Sequence, residues 1–315
     1  MSSPCSLLEC GSTDDRHFEM DDYAGKIARW CPGCGDHAIL AAVHRLLAIE
    51  QLKPEKTVFV SGIGCSSRFP HYVETYGFHG IHGRALPIAT GVKLARPDLD
   101  VFVTMGDGDC TSIGAGHWIH AIRYNIDMTV LLLDNNIYGL TKKQTSPTTP
   151  QGFKTNTQTK GSFLPPLNPL QTTLGVTNAS FVAQTADWMP SHLAATLQAA
   201  KAHKGFSFVR ILQRCPVFTP DIFAAAIKDP QVTDVLSHPD GIQDANTDKI
   251  YKSQVFHNPG DIHEARRLAE GDRVRVGLFF RDESFPRYEE LRQVTKRTPE
   301  EKMAFINAEL DRHAV

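Results

Sequence analysis

The feature that most constrains the fold is a pair of strongly apolar strand patterns, each followed by a turn rich in Gly or Asn. Residues 100–105 predict a strand that ends in Gly106-Asp107-Gly108-Asp109, and a helix predicted over residues 112–123 leads to a second strand at 129–133. A near-continuous apolar strand suits a parallel sheet that is covered on both faces. This order predicts a βαβ unit in an α/β fold, with a mostly parallel sheet and helices on both faces.

The same alternation extends along most of the chain. We predict helices over residues 37–49, 87–94 and 192–203, strands at 56–60 and 207–211, and a long polar loop over 143–171. Loops of that length in compact domains are usually functional. We expect a polar N-terminal arm (1–25), a main domain (26–240) and a C-terminal extension (241–315) that contacts a partner or a second copy. A capping box at Thr298 to Glu301 predicts a helix in that extension.

Composition narrows the class of protein. The net charge is −2 and the predicted pI is 6.7, so no basic excess indicates nucleic acid or an anionic membrane as a partner. We find no apolar run long enough to cross a membrane and no secretory signal, and we expect a cytoplasmic protein. Seven cysteines, an odd number, favour metal or redox chemistry over a disulfide framework.

The two apolar strands end in residues suited to a diphosphate and its metal. Twenty-six residues separate Gly108 from Asn135-Asn136, and both groups follow parallel strands, where α/β sheets bind ligands. Glycine lets backbone N–H groups approach a phosphate, and Mg²⁺ prefers oxygen ligands such as Asp107, the Asn135 side chain and the Ile137 carbonyl. The alternative is a simple turn in which Asp107 caps the helix. The spacing is similar to that of thiamine-diphosphate enzymes and favours the metal site.

The cysteines form a second pattern. Cys31-Pro-Gly-Cys34 is a Cys-x-x-Cys pair, which alone is compatible with half a zinc site, a thioredoxin-like redox pair or half an iron–sulfur site. Cys65 and Cys215 each follow a predicted strand. Without a second Cys-x-x-Cys a zinc ribbon fits poorly, whereas four thiolates fit one cubane cluster. We expect Cys110 to be a buried core residue.

Together these segments resemble a known family. Residues 30–37, 62–68, 76–85, 106–109 and 135–141 are similar to the β subunits of 2-oxoacid:ferredoxin oxidoreductases, across residues 30–215. The resemblance implies a thiamine-diphosphate-binding fold with Mg²⁺, and one [4Fe–4S] cluster bound by four cysteines, Cys31, Cys34, Cys65 and Cys215. It also implies an α subunit, separate or fused to a γ domain, in an αβ or (αβ)₂ assembly.

The implied reaction converts a 2-oxoacid, coenzyme A and oxidised ferredoxin into acyl-CoA, CO₂ and reduced ferredoxin. It can run in reverse to fix CO₂, as in a reductive citric acid cycle. The resemblance favours 2-oxoglutarate as the oxoacid, with pyruvate as the alternative. The glutamate that activates the cofactor comes from the partner subunit in this family, so we expect the isolated chain to be inactive.

The resemblance also assigns residue roles. Arg68 matches a basic position near the substrate carboxylate, and Leu140 and Lys142 match residues beside the thiazolium ring. Where the family commonly has Thr-Lys-Gly-Gln, this chain has a lysine, Lys143, in place of the glycine. The cofactor-binding residues implied are Gly64, Cys65, Ser66, His82, Gly83, Arg84, Gly106, Asp107, Gly108, Asp109, Asn135, Ile137, Tyr138, Gly139 and Leu140.

Two other functions compete with this one. A thiamine-dependent decarboxylase or carboligase would not need the four cysteines. A non-catalytic iron–sulfur or zinc-binding electron-transfer subunit would leave the pattern from Gly106 to Asn135 unexplained. Bound thiamine diphosphate distinguishes the two, because a pure electron carrier would hold none.

Overall fold

A computed structural model describes residues 16–271, 273–292 and 297–313 of the chain. The strands that it contains within these ranges are β1 (Thr57–Ser61), β2 (Tyr76–His79), β3 (Asp100–Gly106), β4 (Met128–Asp134), β5 (Phe181–Ala186), β6 (Phe206–Leu212), β7 (Thr233–Ser237), β8 (Gln254–Phe256) and β9 (Val274–Arg281).

These strands form one sheet in the order β2-β1-β3-β4-β6-β5-β9-β7-β8. Strands β1 to β6 are parallel to their neighbours, and β9 joins them as an antiparallel partner of β5. Strands β7 and β8 then run parallel to β9. The four strands β1, β3, β4 and β6 are therefore adjacent, and their carboxyl ends lie at the same edge of the sheet.

Helices cover both faces of this sheet, as the sequence predicts. The helices described are α1 (Asp36–Ile49), α2 (Ala85–Ala95), α3 (Ala115–Tyr124), α4 (Pro169–Gly175), α5 (Pro190–Ala202), α6 (Ala224–Lys228), α7 (Ala245–Ile250), α8 (Ile262–Leu268), α9 (Tyr288–Leu291) and α10 (Pro299–Arg312). Shorter turns are 3₁₀ helices at Met20–Tyr23, Pro54–Lys56, Ser66–His71 and Pro230–Val232, and a π-helical turn at Asp109–Ile113.

The side chains of β4 show how the two faces are buried. Val130 and Leu132 join a core with α2, α3, α4 and α8, whereas Leu131 and Leu133 join a second core with α1 and α5. Successive residues of a strand point to opposite faces of the sheet. Because helices cover both faces, both sets of side chains are buried. This explains why the strand has a continuous apolar pattern. The mostly parallel α/β fold is confirmed.

The predicted elements and the observed ones agree closely in the βαβ region. The helix predicted over residues 112–123 is split, because the turn Asp109–Ile113 has π geometry before α3 begins. The capping box at Thr298 is present, with Glu301 N donating to the Thr298 hydroxyl at 3.2 Å. Strand β2 was not predicted, because it is only four residues long and includes Gly77, and all four residues are exposed.

The segment expected to be a C-terminal extension is in part built into the sheet. Strand β9 lies beyond residue 240 and pairs with β5, and its Leu278 and Phe279 belong to the two cores. The sheet therefore does not end at the proposed boundary, which rested on the more polar composition after Thr219. The contacts of residues 241–315 with a partner or a second copy stay a prediction.

The N-terminal segment is packed where the structure describes it. Residues 1–15 of the predicted arm lie outside the described residues. From residue 16 onward, Phe18 and Tyr23 are buried against α1, and the Tyr23 hydroxyl donates to the Leu52 carbonyl at 2.8 Å. Among the described helices, none has the length and apolar character needed to span a bilayer.

Candidate functional site

A pocket opens where β1, β3 and β4 end. It has a volume of about 270 Å³. Its lining residues are Ile63, Gly64, Cys65, Ser66, His82, Gly106, Asp107, Gly108, Asp109, Leu133, Asn135, Ile137, Tyr138, Gly139, Leu140, Thr141 and Gln144. The structure therefore brings together all the predicted cofactor-binding residues except Gly83 and Arg84, which lie just outside this lining.

Asp107 is a buried carboxylate, 2% exposed. Its Oδ2 accepts hydrogen bonds from the hydroxyls of Ser146, at 2.5 Å, and Thr148, at 2.6 Å. Both donors come from the long loop that follows β4. The sequence indicated that this loop is functional but gave no sign of which hydroxyls face the metal ligand, since a Thr- and Pro-rich segment has no periodic pattern.

The charge of Asp107 has no cationic partner among the residues that the structure describes. Burial, and then the nearby charge of Asp134, raise the pKa of Asp107 to about 7. Asp134 differs, because it pairs with Arg210 at 2.6 Å. A cation beside a buried carboxylate favours its ionised form. The site thus fits a divalent cation, which would interact directly with Asp107.

Asn135 and Ile137 present the other predicted Mg²⁺ ligands to the pocket. The Asn135 amide nitrogen donates to Gln213 Oε1 at 2.7 Å, and its oxygen accepts from the Ile137 amide at 3.2 Å. Within the described ranges, no three His, Cys, Asp or Glu side chains are grouped to hold one metal ion. The predicted Mg²⁺ site is of a different kind, because two of its ligands are an amide and a main-chain carbonyl.

The glycine turn after β3 makes room for an aromatic ring. A Cβ atom at Gly108 would overlap the ring of Tyr138, whose hydroxyl donates to the Gly108 carbonyl at 3.1 Å. The Gly106 Cβ position, by contrast, has its nearest neighbour, Ser66 Oγ, at 3.2 Å. We interpreted both glycines as permitting the approach of a phosphate, and the structure shows that Gly108 also accommodates Tyr138.

Asp109 holds the loops around the pocket. Its Oδ1 accepts from the Gly83 amide at 2.6 Å and the Ile63 amide at 3.3 Å, and it lies 2.9 Å from His82 Nδ1. Gly62 has no space for a side chain, because a Cβ atom there would overlap the Asp109 carboxylate. Burial raises the pKa of Asp109, and the hydrogen bonds and His82 oppose that shift. The side chain therefore fixes the loop after β1 and the start of α2.

The segment from Leu140 to Gln144 is an exposed turn at the rim. Leu140 is 46% exposed and lines the pocket, whereas Lys142 does not. Lys142 and Lys143 both have positive φ, at 74° and 65°. Lys143 thus adopts a conformation that favours the glycine common in the family, and its ammonium lies 5.3 Å from the centre of the Phe153 ring.

The side chains of Arg68 and Arg84 contact groups outside the pocket lining. Arg68 donates to the Arg29 carbonyl at 3.1 Å and lies over the Tyr72 ring, and it is not among the pocket-lining residues. Arg84 donates to the Ile113 carbonyl at 3.1 Å, between the start of α2 and the π-helical turn. The described structure gives Arg84 a contact that stabilises the loops of the site.

The four predicted cluster cysteines lie on three segments that are hydrogen-bonded to one another, and their thiols form no described group of three around a single metal ion. Cys31 and Cys34 form a turn before α1, in which the Cys34 amide donates to the Cys31 carbonyl at 3.0 Å. Cys65 follows β1 and Cys215 follows β6. The indole of Trp30 connects the Cys31–Cys34 turn to the segment of Cys65, because it donates to the Cys65 carbonyl at 2.7 Å. The Gly35 amide connects the Cys31–Cys34 turn to the segment of Cys215, because it donates to the Arg214 carbonyl at 3.0 Å.

Burial and nearby negative charges favour the neutral thiol form of Cys34 and Cys65. All four predicted cluster cysteines are free thiols. Burial, the buried carboxylate of Asp36, and the thiolates of Cys215 and Cys31 raise the pKa of Cys65 to about 12. Burial, Asp36 and neighbouring cysteines also raise the pKa of Cys34. Metals bind the thiolate form, and a cluster would supply the positive iron that stabilises it. The donor set fits the cluster. Cys110 is separate, buried in the core as expected.

Comparison with known proteins agrees with this geometry. Residues 62–211 match the family described as thiamine pyrophosphate enzyme, C-terminal TPP binding domain. Thiamine pyrophosphate is a synonym of thiamine diphosphate. The matched segment runs from the end of β1 to β6 and includes the whole pocket edge. The fold and the pocket therefore define a thiamine-diphosphate-binding domain.

Individual relatives indicate which family of thiamine-diphosphate-binding proteins the chain resembles. The chain is 35% identical, over 280 residues and 86% of each chain, to the 2-oxoacid:ferredoxin oxidoreductase subunit beta of Saccharolobus solfataricus. It is 50% identical over 218 residues to the 2-oxoglutarate oxidoreductase subunit KorB of Mycobacterium tuberculosis, covering 69% of this chain but only 58% of that relative. The chain belongs to the family of 2-oxoacid:ferredoxin oxidoreductase β subunits, which confirms the resemblance seen in the sequence.

A solved structure shares this fold over nearly the whole chain. It is the 2-oxoglutarate:ferredoxin oxidoreductase from Magnetococcus marinus with 2-oxoglutarate, coenzyme A and succinyl-CoA bound. The TM-score is 0.75 at 34% identity, covering 95% of this chain and 93% of that chain.

Proposed function

We propose that the chain is the catalytic β subunit of a coenzyme A-dependent 2-oxoacid:ferredoxin oxidoreductase that acts on 2-oxoglutarate. Its thiamine diphosphate binds with Mg²⁺ in the pocket at the ends of β1, β3 and β4, and one [4Fe–4S] cluster binds to Cys31, Cys34, Cys65 and Cys215. An α subunit and ferredoxin complete the system, in an αβ or (αβ)₂ assembly in the cytoplasm. Reversal of the reaction would fix CO₂.

One observation supports this proposal: Cys65 would belong to both of the proposed sites. It lines the pocket and its thiol interacts with the other cysteines. A thiamine enzyme without electron transfer has no need of a cluster beside its cofactor. An electron carrier alone has no need of a buried carboxylate such as Asp107 in an adjoining pocket. The combination supports oxidative decarboxylation with electron transfer.

Different residues of the chain would have different roles in this reaction. Asp107, Asn135 and the Ile137 carbonyl would hold Mg²⁺, with Ser146 and Thr148 orienting the carboxylate. When bound, thiamine diphosphate supplies the carbon nucleophile for the 2-oxoacid, and the cluster accepts the electrons one at a time. Asp109 keeps the loops around the cofactor in place.

A cationic side chain would bind and position the carboxylate of the 2-oxoacid substrate. Lys142 and Arg68 are the candidates in this chain, both outside the pocket lining. Lys142 is exposed at the rim, next to Leu140. We expect either side chain to reach the carboxylate only when the α subunit closes the pocket. The relatives named for 2-oxoglutarate support that oxoacid, and pyruvate is the alternative.

The test is anaerobic co-purification with the α subunit, followed by iron, sulfide and thiamine analysis of one sample. We expect about four irons and about one thiamine per β chain. Reduction of a viologen dye, dependent on coenzyme A, should be faster with 2-oxoglutarate than with pyruvate. Zinc in place of iron, or no thiamine, would contradict the proposal and favour a structural metal-binding subunit.

A further inference from the structure

The side chain of Gln213 lies between the two cofactor sites. Its Oε1 accepts a hydrogen bond from the Asn135 amide nitrogen at 2.7 Å. Its Nε2 donates to the sulfur of Cys34 at 3.2 Å. One side chain therefore bonds both to a residue assigned to Mg²⁺ and to a residue assigned to the cluster.

The position of Gln213 is fixed by the sheet. It is the first residue after β6, and its amide donates to the Asp134 carbonyl at 3.0 Å, at the end of β4. The side chain is buried, at 1% exposure, and its Nε2 also donates to the Arg214 carbonyl at 2.5 Å. Both the backbone and the side chain of Gln213 are therefore held in place.

Each of the two bonds has a chemical consequence. An amide has separate donor and acceptor ends. The bond to Gln213 engages the Asn135 nitrogen, so the Asn135 oxygen, which also accepts from the Ile137 amide at 3.2 Å, is the end that can bind a cation. An N–H donor to a cluster sulfur favours the reduced, more negative cluster, and hydrogen bonds to sulfur are among the factors that set cluster potentials.

We propose that Gln213 is a positioning residue that couples the thiamine diphosphate site to the cluster. It orients Asn135 toward the metal and raises the reduction potential of the cluster through Cys34. This inference rests on the proposed function. A glutamine that only satisfied buried polar groups would affect stability, but it would change neither the metal affinity nor the potential.

The experiment compares three variants in the complex with the α subunit. Gln213→Met keeps a similar volume and loses both bonds, whereas Gln213→Glu keeps an acceptor for Asn135. Gln184→Met is the matched control, because Gln184 is also buried and bonds to Arg275 and Arg210, but to no assigned metal ligand and no cluster cysteine. The measurements are Mg²⁺-dependent binding of thiamine diphosphate and the cluster potential from an EPR-monitored redox titration.

For Gln213→Met we expect about tenfold weaker cofactor binding, the lower end of the effect of losing an outer-shell partner of a metal ligand. We also expect about a tenfold less favourable reduction of the cluster, which is about 59 mV for one electron. Gln213→Glu should recover most of the cofactor affinity. Gln184→Met should match the wild type in both measurements.

Three results would overturn the inference. A Gln213→Met complex with wild-type values, or with only one of the two properties changed, shows that Gln213 does not couple the sites. A Gln213→Glu complex that binds the cofactor no better than Gln213→Met shows that the bond to Asn135 is not the cause. A wild-type complex without thiamine or iron would instead reject the proposed function itself, and the inference with it.

Discussion

The sharpest test of the thiamine pocket is Thr148→Val, which removes one hydroxyl and keeps the shape of the side chain. The Thr148 hydroxyl donates to Asp107 at 2.6 Å and lies 3.1 Å from Asp134. Asp134 keeps its pair with Arg210 in the variant, and the Thr148 carbonyl still accepts from Asn136 at 3.1 Å. The substitution should therefore act mainly on Asp107.

The size of the effect follows from this bond. A hydrogen bond to a charged group contributes about 1.5–3 kcal/mol, and every 1.4 kcal/mol is about tenfold in affinity. Ser146 still donates to the Asp107 carboxylate after the change. We therefore expect the lower end, about a tenfold loss of Mg²⁺-dependent affinity for thiamine diphosphate.

The assay is equilibrium dialysis of the cofactor-stripped αβ complex against thiamine diphosphate at fixed Mg²⁺. Iron content should be unchanged, because Thr148 has no contact with the cysteines among the described hydrogen bonds. The control is Thr173→Val in α4, where a buried hydroxyl donates to the Pro169 carbonyl at 2.8 Å. Wild-type affinity in Thr148→Val, or an equal loss in Thr173→Val, would refute the role of the Thr148 hydroxyl in orienting Asp107 for the metal.

Three further predictions concern the cluster and the core. Cys215→Ser should lower iron content and bleach the visible spectrum of the anaerobically purified complex, and a wild-type spectrum would remove Cys215 from the ligand set. Gly35→Ala should also lower iron content, because a Cβ atom there would overlap the Asp187 carboxylate that pairs with Arg214 at 3.0 Å; full iron content would show that the segments can shift apart without loss. Burial lowers the pKa of His192 to about 4 from 6.5, so the unfolded state takes up its proton first and stability should fall as the pH drops from about 6.5 to about 4. His192→Gln should flatten that dependence in urea titrations, and an unchanged slope would contradict the assignment.

The sequence predicted the central part of the fold because its signals are local. Strands β3 and β4 have apolar side chains on both faces, and the turn at Gly106 to Asp109 marks where one of them ends. Strand β2 has a weaker signal, because only Tyr76 and Phe78 alternate in a four-residue segment that also contains Gly77. Strand β9 was not predicted for another reason. It is a short apolar segment, with Leu278 and Phe279, inside a region whose overall composition is polar.

The residues of the site also differ in whether a local sequence signal indicates them. Asp107 and Asn135 could be predicted because each directly follows a strand, and the ends of parallel strands meet at one edge. Ser146 and Thr148 could not, because their approach to Asp107 depends on the path of a loop without periodicity. Gln213 was overlooked for a related reason, since its two partners, Asn135 and Cys34, are distant in sequence and are brought together only by the order of the strands.

That strand order accounts for the closeness of the two sites. In the sheet, β3 and β4 lie between β1 and β6. The strands that carry Asp107 and Asn135 are thus flanked by the strands that lead to Cys65 and Cys215. Neighbouring strands are about 4.8 Å apart, so β1 and β6 are separated by about 14 Å. The cysteine segments must therefore reach toward each other past the ends of β3 and β4. A cluster on them would therefore lie beside the pocket, at the carboxyl ends of these strands.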